Sequence, residues 1–171
     1  MEFRVWVESS LSDLYQSAVD AFPNTTKRQH AIDPVAVKEV VWLPYLGMRT
    51  LLCRALIESN DNEYNAVILF RNVQFFPQKQ PSLVELIAQD GETYFLERMF
   101  NDINDVNVRC NCPDFRWRFR YYDHLDQSLY GPKGRPYQPA GGPPANPQEM
   151  PGMCKHLMKL MQNLNNAGFL D

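Results

Sequence analysis

The sequence contains few cysteines and histidines and no long apolar run. Its 171 residues include four cysteines and three histidines. No apolar stretch reaches the roughly 18 residues that a transmembrane helix needs, so we expect none. The start, MEFRVWVESS, lacks the apolar segment of a secretory signal peptide. We therefore expect synthesis in a reducing cytosol, where cysteines more often bind metal or lie buried than form disulfides.

The chain also lacks an excess of positive charge. It has 17 Lys and Arg against 20 Asp and Glu, a net charge of -3. A general nucleic-acid or membrane binder carries a basic face, so any basic patch here must be local. Apolar residues make up 44% and charged residues 22%, an ordinary globular balance. The length fits one domain, or a domain with a smaller module.

Motifs of several enzyme classes are absent as well. The glycines between residues 131 and 142 lie among prolines and do not follow a predicted strand, which argues against a Gly-rich phosphate loop. There is no Gly-x-Ser-x-Gly, and neither the H-x-E nor the C-x-x-C element of zinc deaminases occurs. We expect no enzymatic activity and no catalytic residues.

Hydrophobic periodicity predicts a mixture of helices and strands. Ser10 and Asp13 form a capping box at the start of a helix that Pro23 ends. Further helices are predicted at 82–89 and 154–165, the latter ended by Gly168. Strands are predicted at 2–7, 35–42, 48–58, 65–75, 93–97 and 106–112. The strands at 48–58 and 65–75 are expected to form a hairpin around the polar residues 59–63.

Residues 131–152, which we call the arm, have an unusual composition. Seven prolines and five glycines occupy 12 of its 22 positions. Such a segment has few apolar side chains with which to order itself. We expect a nearby clamp or a neighbouring subunit to hold it.

Cys110 and Cys112 are separated by one residue. If residues 106–112 form a strand, both side chains lie on the same face, together with Val106 and Val108, with Cα atoms about 6.5 Å apart. A disulfide between the two would close a strained ring, and a redox pair is usually C-x-x-C at a helix start. Buried thiols and half of a metal site remain as interpretations.

Cys154 and His156 supply a second pair, with 41 residues between Cys112 and Cys154. Cys154 stands at the start of the predicted last helix, where the helix dipole favours a thiolate. Three cysteines and one histidine form a closed structural zinc set, and such a site would hold both ends of the arm. The alternatives are three buried thiols with a surface histidine, and a nucleophile–base pair of Cys110 and His156.

The other cysteine and histidines are weaker candidates. Cys53 lies within the apolar residues 51–56 and is predicted to be a core thiol. His30 stands in a polar loop, where we expect it to be solvated. His124 is the main rival ligand, because it lies in the segment that follows Cys112.

The combined pattern resembles the SWIM-type zinc finger, whose signature is C-x-C followed by C-x-H. The longer form, CNCPDF and later NP…PGMCKHL, looks like a variant found in virion structural proteins of tailed bacteriophages. The resemblance covers roughly residues 106–165, and the 41-residue gap is longer than is usual for SWIM. It implies Zn²⁺ as cofactor, with the ligands Cys110, Cys112, Cys154 and His156.

The resemblance also implies a function and a location. It implies a non-enzymatic structural or adaptor protein of a phage head, neck, tail or baseplate, made in the host cytoplasm and located in the virion. Its partners would be other virion proteins or copies of itself. SWIM modules are also linked to DNA or protein binding, which keeps a nucleic-acid-binding zinc module as the alternative. No membrane partner is expected.

Residues 115–122 interleave arginines with aromatic residues. We favour a helix, because Pro113 and Asp114 suit its first turn. Residues 109–135 carry six basic and three acidic side chains. The arginines either pair with acids while the aromatics pack, or they contact nucleic acid or a protein partner. The candidate contact residues are Arg116, Trp117, Arg118, Arg120 and Arg135.

Together these features predict an α+β fold in two parts. Residues 1–105 are predicted to form a mixed α/β domain with an antiparallel sheet that carries interfaces. Residues 106–171 are predicted to form a C-terminal zinc-stabilised module with helices and the long Pro/Gly arm.

Overall fold

A computed structural model describes residues 8–23, 35–136 and 140–171, which form a mixed α+β fold. The predicted strand at 2–7, most of the loop after Pro23, and His30 lie outside the described residues. The strands are β1 (Val35–Tyr45), β2 (Thr50–Ser59), β3 (Asn62–Phe70), β4 (Phe75–Phe76), β5 (Val84–Ile87), β6 (Thr93–Leu96) and β7 (Val106–Cys110). The helices are α1 (Leu11–Ala21), a 3₁₀ turn (Leu46–Met48), a π-helical turn (Phe115–Phe119), α2 (Arg120–Leu125) and α3 (Lys155–Asn166).

Helix α1 begins at the predicted capping box. The Ser10 hydroxyl accepts a hydrogen bond from the Asp13 amide, and the Asp13 carboxylate accepts one from the Ser10 amide. These two bonds satisfy amides that a helix start otherwise leaves unpaired. The apolar face of the helix, Leu11, Leu14 and Ala18, is buried in the core.

Four antiparallel strands form the main sheet in the order β1-β2-β3-β7. The predicted hairpin is confirmed, since β2 pairs with β3 from Ser59↔Asn62 onward. Asn60 and Asp61, between the two strands, both have positive φ angles of 51° and 63°. Two left-handed residues of this kind match the twist of a tight two-residue hairpin.

A second sheet has the order β4-β6-β5. The helix predicted over 82–89 is wrong, because Val84–Ile87 forms strand β5 and pairs with β6. Gly91, with φ of 82°, closes the connection, and the Ala88 amide donates to the Glu92 carbonyl. The apolar residues of such a short run fit either periodicity, so the pairing with β6 decided its conformation.

Strand β7 joins the C-terminal part of the chain to the main sheet. It pairs with β3 on one side, and on the other side the Val108 amide donates to the Ser128 carbonyl. Helix α3 packs against β1, β3 and β7. The domain boundary at residue 105 stays a prediction, but the strand that begins at Val106 belongs to the sheet of the preceding residues.

The segment after β7 is helical, as predicted. A wide π-helical turn over Phe115–Phe119 leads into α2, and Phe115 and Phe119 are fully buried. Helix α3 ends at Asn166, and Gly168 follows with φ of 85°, the left-handed conformation common after a helix end. Among the described residues, no helix is long and apolar enough to cross a membrane.

Candidate metal centre

Strand β7 places Cys110 on the buried face of the main sheet. Val106, Val108 and Cys110 are buried, while the residues between them are partly exposed. Asn111 then attaches the chain to the middle of β3, because its side-chain oxygen accepts from the Asn65 amide and its amide donates to the Asn65 carbonyl. The chain therefore leaves the sheet directly after Cys110 and turns back toward the core.

Cys112 follows at the start of the helical segment and is also buried. Its Sγ accepts a hydrogen bond from the Phe115 amide at 3.3 Å, and its carbonyl accepts one from the Arg116 amide. Hydrogen bonds from the Cys110 and Cys154 thiols and from this amide hold the pKa of Cys112 below its ordinary value. The pKa of Cys110 is raised, chiefly because its thiol donates to Cys112.

Cys154 is the residue before the first turn of α3, in extended conformation, and its carbonyl accepts from the Met158 amide. Burial raises the pKa of its thiol. His156 lies in the first turn, with Nδ1 3.8 Å from the Cys110 sulfur and 3.9 Å from the Cys154 sulfur. The start of α3 therefore brings the second pair of the sequence motif against the first.

The four ligand atoms of Cys110, Cys112, Cys154 and His156 all lie within 4.8 Å of one another. Zn–S bonds of about 2.3 Å and Zn–N bonds of about 2.0 Å in a tetrahedron require separations of about 3.8 Å between sulfurs and 3.5 Å from sulfur to nitrogen. The two measured sulfur–nitrogen distances exceed the required value by only a few tenths of an ångström. The cluster is thus compatible with one bound metal ion.

The ring of His156 packs against a neighbouring aromatic ring. The Tyr64 ring lies over it, with 4.5 Å between centroids and 33° between planes. Since Nδ1 faces the sulfurs, a metal-bound His156 carries its proton on Nε2. Among the described residues Nε2 is buried and has no hydrogen-bond partner.

The other candidates lie elsewhere in the fold. Cys53 is fully buried in β2, and burial raises its pKa well above the ordinary value, as expected of a core thiol. His124 lies in α2 and contributes no atom to the cluster. Within the described part of the chain, no other group of three or more Cys, His, Asp or Glu residues could hold a metal ion.

The ends of the arm are held by hydrogen bonds within the chain. At its start, Arg109 Nη1 donates to the carbonyls of Tyr130 and Pro132. Near its end, the Asn146 amide group donates to the carbonyls of Arg118 and Met150. Hydrogen bonds within the chain therefore hold both ends of the arm, next to the two halves of the Cys/His cluster.

Asp123 holds the chain close to Cys154, and this role was not predicted from the sequence. Its fully buried carboxyl accepts a hydrogen bond from the Gly152 amide at 2.7 Å, two residues before Cys154. A lone Asp in a helical stretch carries no sequence signal of this role, because the contact joins residues 29 positions apart. The contact of Tyr64 with His156 was also not predicted, because it too joins distant parts of the sequence.

The predicted contact residues of the arginine–aromatic stretch are divided between different environments. Arg118 pairs with Asp114 at 3.4 Å and lies over the Phe22 ring at 5.0 Å. Trp117 is 40% exposed, and the Arg116 guanidinium lies 4.6 Å from its ring centre. Arg120 is partly buried and Arg135 is exposed.

Comparison with known proteins found no relatives: no family model matches the chain, and neither the curated proteins nor the solved structures yielded a match.

Proposed function

We propose that the chain binds one Zn²⁺ ion through Cys110, Cys112, Cys154 and His156, and that the ion has a structural role. The observation that carries the proposal is the convergence of four buried ligand atoms to within 4.8 Å of one another. Three thiolates and one imidazole are soft donors of the kind that structural zinc sites use.

A structural role follows from the ligand count and from burial. Four protein ligands complete the tetrahedral shell of zinc, so no position is left for a water molecule or a substrate. All four residues are at most 3% exposed. We therefore propose that this site does not catalyse a reaction.

The ion would connect two elements that lie far apart in the sequence. Cys110 and Cys112 come from β7 and the turn after it, and Cys154 and His156 come from the start of α3. Such a connection closes a 41-residue loop between Cys112 and Cys154 that contains the arm. Loop-closure entropy grows only slowly with length, so one ion can stabilise this long closure.

Metal analysis of the purified protein tests this proposal. We expect one zinc per chain, and we expect Cys110→Ser and Cys154→Ser to lose it because a tetrahedral site needs its fourth ligand. Cys53→Ser is the matched control: its thiol is equally buried but lies outside the cluster, so it should keep one zinc. A zinc-free wild-type chain that folds stably would refute the proposal.

We further propose that the chain is a structural or adaptor component of a tailed-phage particle. Two features support this role: the C-x-C…C-x-H resemblance, and several large apolar side chains on the surface that suit contact with other proteins. The most exposed of these are Leu46 at 53%, Met48 at 73%, Ile87 at 71% and Ile103 at 67%.

The assembly role can be tested on intact particles. Mass spectrometry of particles purified from the virus that encodes the chain should detect it at a fixed ratio to the other structural proteins. Cross-linking in those particles should place residues 46–48 or 103 beside a neighbouring subunit. Absence of the chain from purified particles would contradict the proposal.

A further inference from the structure

Arg109 and Arg120 both pack on the start of the arm, and Arg116 lies close enough to Arg120 for their charges to interact. Arg109 projects from β7, and its Nη1 atom donates to two carbonyls of residues 130–132. A methyl group at Gly131 would stand only 3.3 Å from that atom. The guanidinium of Arg109 therefore packs directly on the arm.

Arg120 packs on the same segment three residues further along. A methyl group at Gly134 would overlap its guanidinium, so only glycine allows this approach. Its Nε atom is buried and has no hydrogen-bond partner among the described residues. A buried N–H donor without an acceptor is unfavourable, so this atom is available to an oxygen of a ligand.

The surroundings of Arg120 are positively charged. Burial lowers its pKa, and the charges of Arg109 and Arg116 lower it further, while no carboxylate within the described part of the chain acts in the opposite direction. The arm adds Lys133 and Arg135 and has no acidic residue between 131 and 136. Repulsion among these cations would be relieved by a bound anion.

Arg118 does not belong to this group. Its guanidinium pairs with Asp114 and stacks on Phe22. The helix thus divides the alternating arginines into two sides. Arg118 is neutralised by Asp114, whereas Arg116 and Arg120 face other cations within the described residues.

We propose that Arg109, Arg116 and Arg120 bind a phosphate group of a single-stranded nucleic acid. Guanidinium groups present paired N–H donors that match phosphate oxygens. This inference goes beyond the structural role of the metal centre, which it does not require.

A neighbouring aromatic side chain favours a single strand as the carrier of the phosphate. Trp117 is 40% exposed, and Arg116 lies over its ring at 4.6 Å. An exposed aromatic ring beside phosphate-binding arginines is the arrangement on which unpaired bases stack. Because the net charge of the chain is -3, binding is confined to this local patch.

Fluorescence anisotropy with a labelled oligothymidine of roughly 12 nucleotides tests the proposal, since this length covers a typical single-strand site. We expect Arg120→Gln and Arg116→Gln each to raise the dissociation constant about tenfold or more, the usual effect of one lost arginine contact. Arg98→Gln is the matched control, because Arg98 is an exposed arginine in the loop after β6. It should leave the dissociation constant unchanged.

Inorganic phosphate provides a second probe that separates binding from structure. At constant ionic strength it should raise the Tm of the wild type but not of Arg120→Gln. Without phosphate, Arg120→Gln should be at least as stable as the wild type, since it removes an unpaired cation. A purely structural role of Arg120 in holding the arm predicts a lower Tm instead.

Binding of neither probe, or an equal loss in Arg98→Gln, would overturn the site. Binding of phosphate without the oligonucleotide would overturn the nucleic-acid assignment, and tighter binding of a duplex would overturn the preference for single strands. All variants should keep one zinc per chain, so failure here is distinct from failure of the metal centre.

Discussion

At the scale of single residues, Asp123 shows how one carboxyl supports the chain beside the Cys/His cluster. Its side chain is fully buried, and burial raises its pKa well above the ordinary value, with the nearby charge of Asp126 adding to the effect. One oxygen accepts from the Gly152 amide, and the other has no partner among the described residues. The carboxyl in this position holds the chain just before Cys154.

This burial predicts a pH dependence of stability. With a raised pKa, the folded chain keeps a proton that the unfolded chain releases above about pH 3.9. The contribution of Asp123 is therefore complete below that pH and is lost as the pH rises through the folded pKa. Asp123→Asn keeps the acceptor without a charge, so its stability relative to the wild type should increase with pH, by at most about 1.4 kcal/mol per pH unit.

Urea unfolding of both proteins between pH 5 and pH 8 measures this difference. Asp102→Asn, at an exposed carboxyl, is the control and should show a constant difference. A constant difference for Asp123→Asn as well would show that its carboxyl is already ionised in the folded chain.

At the scale of elements, Gly152 connects the arm to three neighbours. Its amide donates to Asp123, and a Cβ atom there would stand 2.6 Å from a Phe119 ring carbon and 3.0 Å from the Ala18 methyl group. Helix α1, the π-helical turn and helix α2 therefore meet at Gly152, a position where only glycine fits.

Gly152→Ala should destabilise the fold by about 1–3 kcal/mol, the usual cost of overpacking a core. It should also weaken zinc binding, because Cys154 lies two residues further on. Gly47→Ala is the matched control, since a Cβ atom at Gly47 meets nothing within 4 Å. Urea unfolding and competition with a zinc chelator measure the two effects, and equal results for both variants would contradict the close packing at Gly152.

Prediction of the elements from sequence succeeded where local signals were sufficient. The capping box at Ser10 and the polar turn between β2 and β3 depend on neighbouring residues, so the sequence indicates them directly. Strand β5 was predicted wrongly, because four residues of mixed character obtain their conformation from pairing with β6. The width of the π-helical turn at Phe115–Phe119 also has no local signal.

At the scale of the whole molecule, the metal centre would connect the main sheet to its covering helix. One ligand pair is attached to the sheet through β7, and the other begins α3, which packs on β1, β3 and β7. Loss of the ion would leave buried thiols and a buried imidazole without compensation. A bound ion would therefore contribute to the packing of one layer on the other.

Removal of zinc with a chelator should lower the Tm of the wild type by at least about 10 °C. The reason is that a structural zinc site contributes several kcal/mol, and each kcal/mol shifts the Tm of a chain of this size by about 2–4 °C. Cys110→Ser is the control, and its Tm should not respond to the chelator. Calorimetry measures both, and an unchanged wild-type Tm with zinc removed would exclude a stabilising role.

The sequence by itself determined the two ligand pairs, the capped first helix and most strands, because each depends on the spacing of nearby residues. Only the tertiary structure decided that Cys112 and Cys154 meet across 41 residues, that Asp123 supports Gly152, and that Arg109 rather than Arg118 joins Arg120. The physical reason is that such contacts follow from strand order and helix packing, which depend on the whole core and leave no local pattern.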